Sequence, residues 1–203
     1  MAMNEQEGKY LRLARQAREE NNVEDAKKFY DLVRTENPDN AEAKFFYLIY
    51  RCWDGTKGEW KSNYNSFLNG AVSAVKGVAR MEMPDAEKGK ILSEMLSEAI
   101  ATYEGARKVE TDLGRAGGNS AVVHNDKPTI LMLYQFGDAI EETMPTNTSA
   151  MDAACAAWKK AVALNQIYYA GIDKSLPEKY EAKIQKLDSS YVKPKKGGCI
   201  RLG

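Results

Sequence analysis

Residues 10–38 read YLRLARQAREENNVEDAKKFYDLVRTENP, from Tyr10 to Pro38. Tyr10, Leu13, Ala14 and Ala17 fall at i, i+3, i+4 and i+7, the spacing of one apolar stripe on a helix. That stripe predicts a helix over about 7–20. Asn21-Asn22 follows, and Asn22 suits an N-cap, with Asp25 three residues on as a partner of capping-box kind. The second helix turns Ala26, Phe29, Tyr30 and Val33 inward. It must stop before Pro38, because a residue ahead of proline is pushed out of the helical region. Two amphipathic helices joined by a short turn form a helical hairpin.

The same periodicity continues along the chain. Asn40 caps a third predicted helix that runs to about Trp53, before the breaker stretch Asp54-Gly55-Thr56-Lys57-Gly58. A fourth covers roughly 59–80, with Tyr64, Phe67, Leu68, Ala71, Val75 and Val78 in register. Gly70 and Gly77 weaken it by ~1 kcal/mol each relative to alanine. The fifth begins around Pro84 and carries the cleanest stripe, Ile91, Leu92, Met95, Leu96, Ala99, Tyr103 and Ala106, fading near Gly114. A polar loop from Gly117 to Lys127 separates it from a sixth helix, opened by Pro128 and running through Glu142. The seventh takes Ser149 as its cap, with Asp152 as box partner, and reaches Gly171. The eighth is capped by Ser175 and extends to about Leu187. No stretch alternates apolar and polar residues, and no Asn-Gly or Asp-Gly hairpin turn occurs. The prediction is an all-α fold of about eight helices in a single domain over 1–192, with hairpins at 7–53 and further helices at 59–192 completing a compact irregular core. Residues 193–203 read as a flexible basic tail, with Lys193, Lys195, Lys196 and Arg201.

The N-terminal hairpin resembles a tetratricopeptide repeat (TPR). The large, Leu and small positions of the first repeat helix fall on Tyr10, Leu13 and Ala14. The Ala, aromatic and small positions of the second fall on Ala26, Tyr30 and Val33, and the turn proline on Pro38. The ~34-residue period also fits. The departures are Val33 for the usual small residue and Ala17 where an aromatic is common. One period later the pattern decays: Trp60 stands where alanine belongs, Tyr64 matches the aromatic, and Val72 stands where the turn proline belongs. The resemblance covers about 7–53. A solenoid needs at least three stacked repeats, so the later helices must complete the core in another way. The Lys195-Lys196-Gly197-Gly198-Cys199-Ile200 lead-in resembles the start of a cysteine-containing module that follows such helices in some bacterial proteins; no function is carried over from it.

TPR proteins bind peptides in the groove lined by the first helix of each repeat. The resemblance puts Leu11, Arg15 and Arg18 on the groove side of the first helix, and Glu42, Phe45, Ile49 and Trp53 on that of the third. One expectation is a mixed groove in which the two arginines meet a peptide carboxylate. The other is a groove filled by later helices. The third helix, AEAKFFYLIYRCW, is apolar nearly all round and so is covered on more than one side. The Lys/Asn clamp of chaperone-binding members is not reproduced.

Charge bounds the partners. The chain has 203 residues, with 29 Lys and Arg against 29 Asp and Glu. A balanced chain lacks the basic excess that phosphate backbones require, so nucleic acid is not an expected partner. The longest apolar run, Phe45–Tyr50, falls far short of the ~20 residues that cross a bilayer, and no leader segment is read at the N-terminus. Three scattered cysteines, Cys52, Cys155 and Cys199, form neither a disulfide framework nor a CxxC zinc pair, which points to a reducing cytoplasm. His124 is the single histidine and lies in the polar loop without a catalytic constellation. No phosphate loop or nucleophile elbow occurs. These readings predict a cytoplasmic, non-enzymatic protein-interaction or scaffold module, with no catalytic residue, metal or cofactor and a protein or peptide as partner. A ligand pocket of Tyr50, Trp53, Trp60 and Tyr64, and a structural homo-oligomer, are the alternatives.

Overall fold

The computed structural model describes residues 4–54, 57–117, 126–168 and 175–193. The chain is all-helical: α1 (Glu5–Glu19), α2 (Val23–Glu36), α3 (Ala41–Arg51), α4 (Lys57–Ala79), α5 (Asp85–Gly117), α6 (Asp126–Thr143), α7 (Thr148–Tyr168) and α8 (Ser175–Leu187). No strand occurs among the described residues.

Local chemistry sets the boundaries. Asn21 takes a left-handed φ of 56°, a conformation asparagine tolerates better than most residues. With it, the Asn21 and Asn22 amides reach back to the carbonyls of Arg18 and Ala17 at 3.0 and 2.8 Å, which closes α1 in a Schellman turn. Asn22 then caps α2, accepting from the Asp25 amide, and Asn40 caps α3, accepting from Ala43 at 2.9 Å. The seventh helix departs from expectation. Its cap is Asn147, not Ser149: the Asn147 Oδ1 accepts from the Ala150 amide at 3.0 Å while its Nδ2 donates to the Asp85 carbonyl at 2.9 Å. Ser149 instead lies against Gly89, where a Cβ would meet the Ser149 Cβ at 2.3 Å. α6 starts at Asp126, two residues before Pro128. The proline sits in the first turn, where its missing N–H breaks no helical bond.

The helices form a row in the order α1, α2, α3, α4, α6, α7, α8, each packed on the next. The fifth helix is out of line. α4 passes its packing directly to α6, and α5, 33 residues and so ~50 Å long, lies across the row against α3, α4 and α7. The buried residues form one hydrophobic cluster from Leu11 to Ile184. Phe45 sits at its centre, with edge contacts to Phe46, Phe67 and Phe136 on α3, α4 and α6. The glycines of α4 mark close approaches to α3: a Cβ on Gly77 would meet the Ala41 Cβ at 2.7 Å, and one on Gly70 the tip of Leu48.

Candidate functional site

The seven residues expected to line a groove divide into three groups. Leu11, Phe45 and Ile49 are buried in the core. Arg15, Arg18 and Glu42 build an ion-pair network between α1, α3 and α5. Glu42 is fully buried. Its carboxylate accepts from Arg15 Nε at 2.9 Å and Nη2 at 2.7 Å, and from the Tyr30 hydroxyl at 3.2 Å. The remaining Arg15 nitrogen, Nη1, donates to Glu87 of α5 at 3.0 Å. Arg18 bonds Glu94 of α5 and Tyr30, and its guanidinium lies 4.3 Å from the centre of the Phe46 ring. These contacts set the local electrostatics. Hydrogen bonding to Glu42 raises the Arg15 pKa further above its usual range. Burial, reinforced by the Glu42 charge, raises that of Tyr30. Glu98, one helical turn beyond Glu94, has its pKa raised by burial, with the Arg18 charge opposing the shift.

The groove side of α1 and α3 is therefore occupied by α5. Ile91, Leu92 and Met95 of α5 are at most 2% exposed, and each such side chain contributes ~1.5–3 kcal/mol on burial. These side chains belong to the same hydrophobic cluster as Leu11, Phe45 and Ile49. Trp53, at the far end, is 43% exposed and rests on Gly105 of α5, 3.1 Å from where its Cβ would be.

One end of the groove stays open. Beside the start of α5 lies a cleft of about 670 Å³, bounded by α1, the α2–α3 turn, the C-terminal part of α4 and the α4–α5 connection. Glu7, Leu11 and Arg15 line it from α1 at i, i+4 and i+8, Asn37, Asn40 and Lys44 from the turn and α3, and Ser73, Arg80, Met81 and Met83 from the far side. Of these, the sequence singled out Leu11 and Arg15. Glu7 reads as a first-turn acid, and its i, i+4, i+8 relation to Leu11 and Arg15 is the signal that could have placed it. The far wall carries no such signal, since Ser73 and Arg80 are ordinary polar-face residues of a distant helix.

Tyr50, Trp60 and Tyr64 of the alternative pocket have ring partners of their own. Tyr50 belongs to a stack with Tyr30 and Phe46. Trp60 stacks on Tyr64, centroids 5.0 Å apart, and Tyr64 bonds Thr129 of α6 at 2.8 Å. Among the described residues no group of three or more His, Cys, Asp or Glu could hold a metal ion, and no helix is long and apolar enough to cross a membrane. His124 and Cys199 lie outside the described residues. Cys52 is buried beneath the Leu48 carbonyl, and burial pushes its thiol up to about 12. Other polar clusters tie helices together. Asp126 at the start of α6 accepts from Tyr103 and Arg107 of α5, and Arg107 lies over Tyr168 of α7. Asp138 of α6 accepts from Tyr180 and Lys183 of α8. No protein-family model matches the chain, and neither a curated protein nor a solved structure was found to match it.

Proposed function

We propose that this chain is a non-enzymatic, TPR-like protein-interaction module of the cytoplasm, and that its cleft takes a short peptide segment of a protein partner. The observation that carries this reading is the open cleft lined on one side by α1 and the start of α3, the helices whose TPR-like counterparts face ligands. Its volume suits a few residues of peptide, within the ~300–1,000 Å³ of typical ligand sites. With α5 in the rest of the groove, a long helical ligand is not accommodated, and a short extended segment is. The balance of 29 cationic and 29 anionic side chains supports a protein rather than a nucleic-acid partner.

The test blocks the cleft from an exposed position. Ser73→Tyr fills the space without touching the core. In affinity capture from a lysate of the source organism, the wild-type chain is expected to retain a partner that Ser73→Tyr loses. Equal capture by both chains overturns the reading.

A further inference from the structure

One buried carboxylate of the cleft, Glu7, identifies its ligand further, resting on the peptide-binding reading above. Glu7 is 4% exposed. Its Oε1 accepts from Asn37 Nδ2 at 2.8 Å and Asn40 Nδ2 at 2.9 Å. No described donor reaches its other oxygen, and no described cation lies within ion-pair distance. A buried carboxylate is normally paired. This one is held by two neutral amides and by its place in the first turn of α1, where the helix dipole favours negative charge.

None of the neighbouring described cations pairs with it. Arg15 is bound by Glu42 and Glu87, and Lys44 pairs with Asp39 at 3.3 Å. Arg80 is exposed at the rim. Leu11, one turn on from Glu7, and Met81 and Met83 across the cleft give it apolar walls. A methylene stem lies well on such a wall while its charged head reaches a carboxylate.

We infer that the cleft binds a lysine or arginine side chain of the partner peptide, with Glu7 as the carboxylate that recognises it. The polarity is opposite to the one the two arginines suggest from the sequence, because α3 and α5 supply the carboxylates that engage them.

The test starts from the intact chain. A displayed library of random 12-residue peptides is panned on it, and the enriched peptides are titrated against wild type, Glu7→Gln and Ser73→Tyr. Glutamine keeps an Oε1 for Asn37 and Asn40, so the turn is expected to survive while the charge is lost. The expected result is a shared Lys or Arg, a loss of affinity of about tenfold with Glu7→Gln, and a similar loss when the peptide lysine becomes norleucine. The norleucine arm leaves the protein untouched and decides the matter even if Glu7→Gln fails to fold. Peptides that lose binding to Ser73→Tyr but tolerate norleucine or Glu7→Gln within twofold overturn the inference and leave the cleft reading standing. No enriched peptide, or binding unaffected by Ser73→Tyr, overturns both.

Discussion

Arg15 of α1 holds the fully buried carboxylate of Glu42 on α3 through two nitrogens, Nε at 2.9 Å and Nη2 at 2.7 Å. A planar guanidinium suits this two-point contact, and a lysine could not reproduce it. The pair joins the first hairpin to the third helix. It also explains why an arginine that faces the groove is not free to meet a ligand.

Removing one partner leaves the other charge buried. Arg15→Met is expected to cost about 3 kcal/mol, the lower end for breaking a buried pair, because Arg15 is partly exposed and Tyr30 still donates to Glu42. The double variant Arg15→Met/Glu42→Met removes both charges and is expected to recover at least half of that loss. Urea denaturation measures both. A double variant no more stable than the single one contradicts this account of the pair.

Two glycines of similar sequence appearance are expected to behave oppositely. A Cβ on Gly137 would stand 2.3 Å from Trp158 Nε1 inside the α6–α7 contact. Gly137→Ala therefore overpacks a rigid ring and is expected to cost ~1–3 kcal/mol. At Gly70 the obstacle is the tip of Leu48, which can rotate away. Gly70→Ala is expected to stabilise by up to ~1 kcal/mol through helix propensity. Thermal denaturation of the two variants gives the comparison.

The buried thiols are expected to be inert in the folded chain. Burial raises the pKa of both Cys52 and Cys155, and the thiolate is the reactive form. In a Cys199→Ser background, Ellman's reagent at pH 8 is expected to report no fast-reacting thiol, and two after denaturation. A fast native reaction indicates that α3 or α7 is not packed as described.

Asp188 predicts a pH dependence with a definite sign. Its hydrogen bond from Lys159 at 2.6 Å, with two more from Ser190, lowers its pKa to about 2. The folded state thus favours the carboxylate more than the unfolded chain does. The resulting stability is present above the ordinary aspartate pKa and is lost as pH falls through about 2. Wild type is expected to be more stable than Asp188→Asn at pH 6, with the gap closing by pH 2 in denaturant titrations. A gap that widens with acid contradicts the assignment.

Helix number and type were legible because each helix carries its own 3.6-residue stripe, as the run from Ile91 to Ala106 shows. The caps Asn22 and Asn40 were legible, and that of α7 was misread as Ser149 because Asn147 stands two residues earlier. The path of α5 was not legible. Its stripe says that one face is covered, but not that α3, α4 and α7 cover it. Glu87 and Glu94 look like solvated acids until α1 is placed beside them, 72 and 76 residues away in sequence. Gly70 and Gly77 read as weak points of a helix, and only the packing of Leu48 and Ala41 shows what they admit. Glu7 was missed for the same reason, since its partners Asn37 and Asn40 lie a full hairpin away.

α5 occupies the groove side of the N-terminal hairpin, and the Arg18–Glu94 pair reports on that placement. A double-mutant cycle with Arg18→Ala, Glu94→Ala and the combined variant, read by urea denaturation, measures their coupling. The expected coupling is ~0.5–3 kcal/mol, as for residues in one ion-pair network. Additivity of the two single effects within about 0.3 kcal/mol, the behaviour of distant sites, would contradict it.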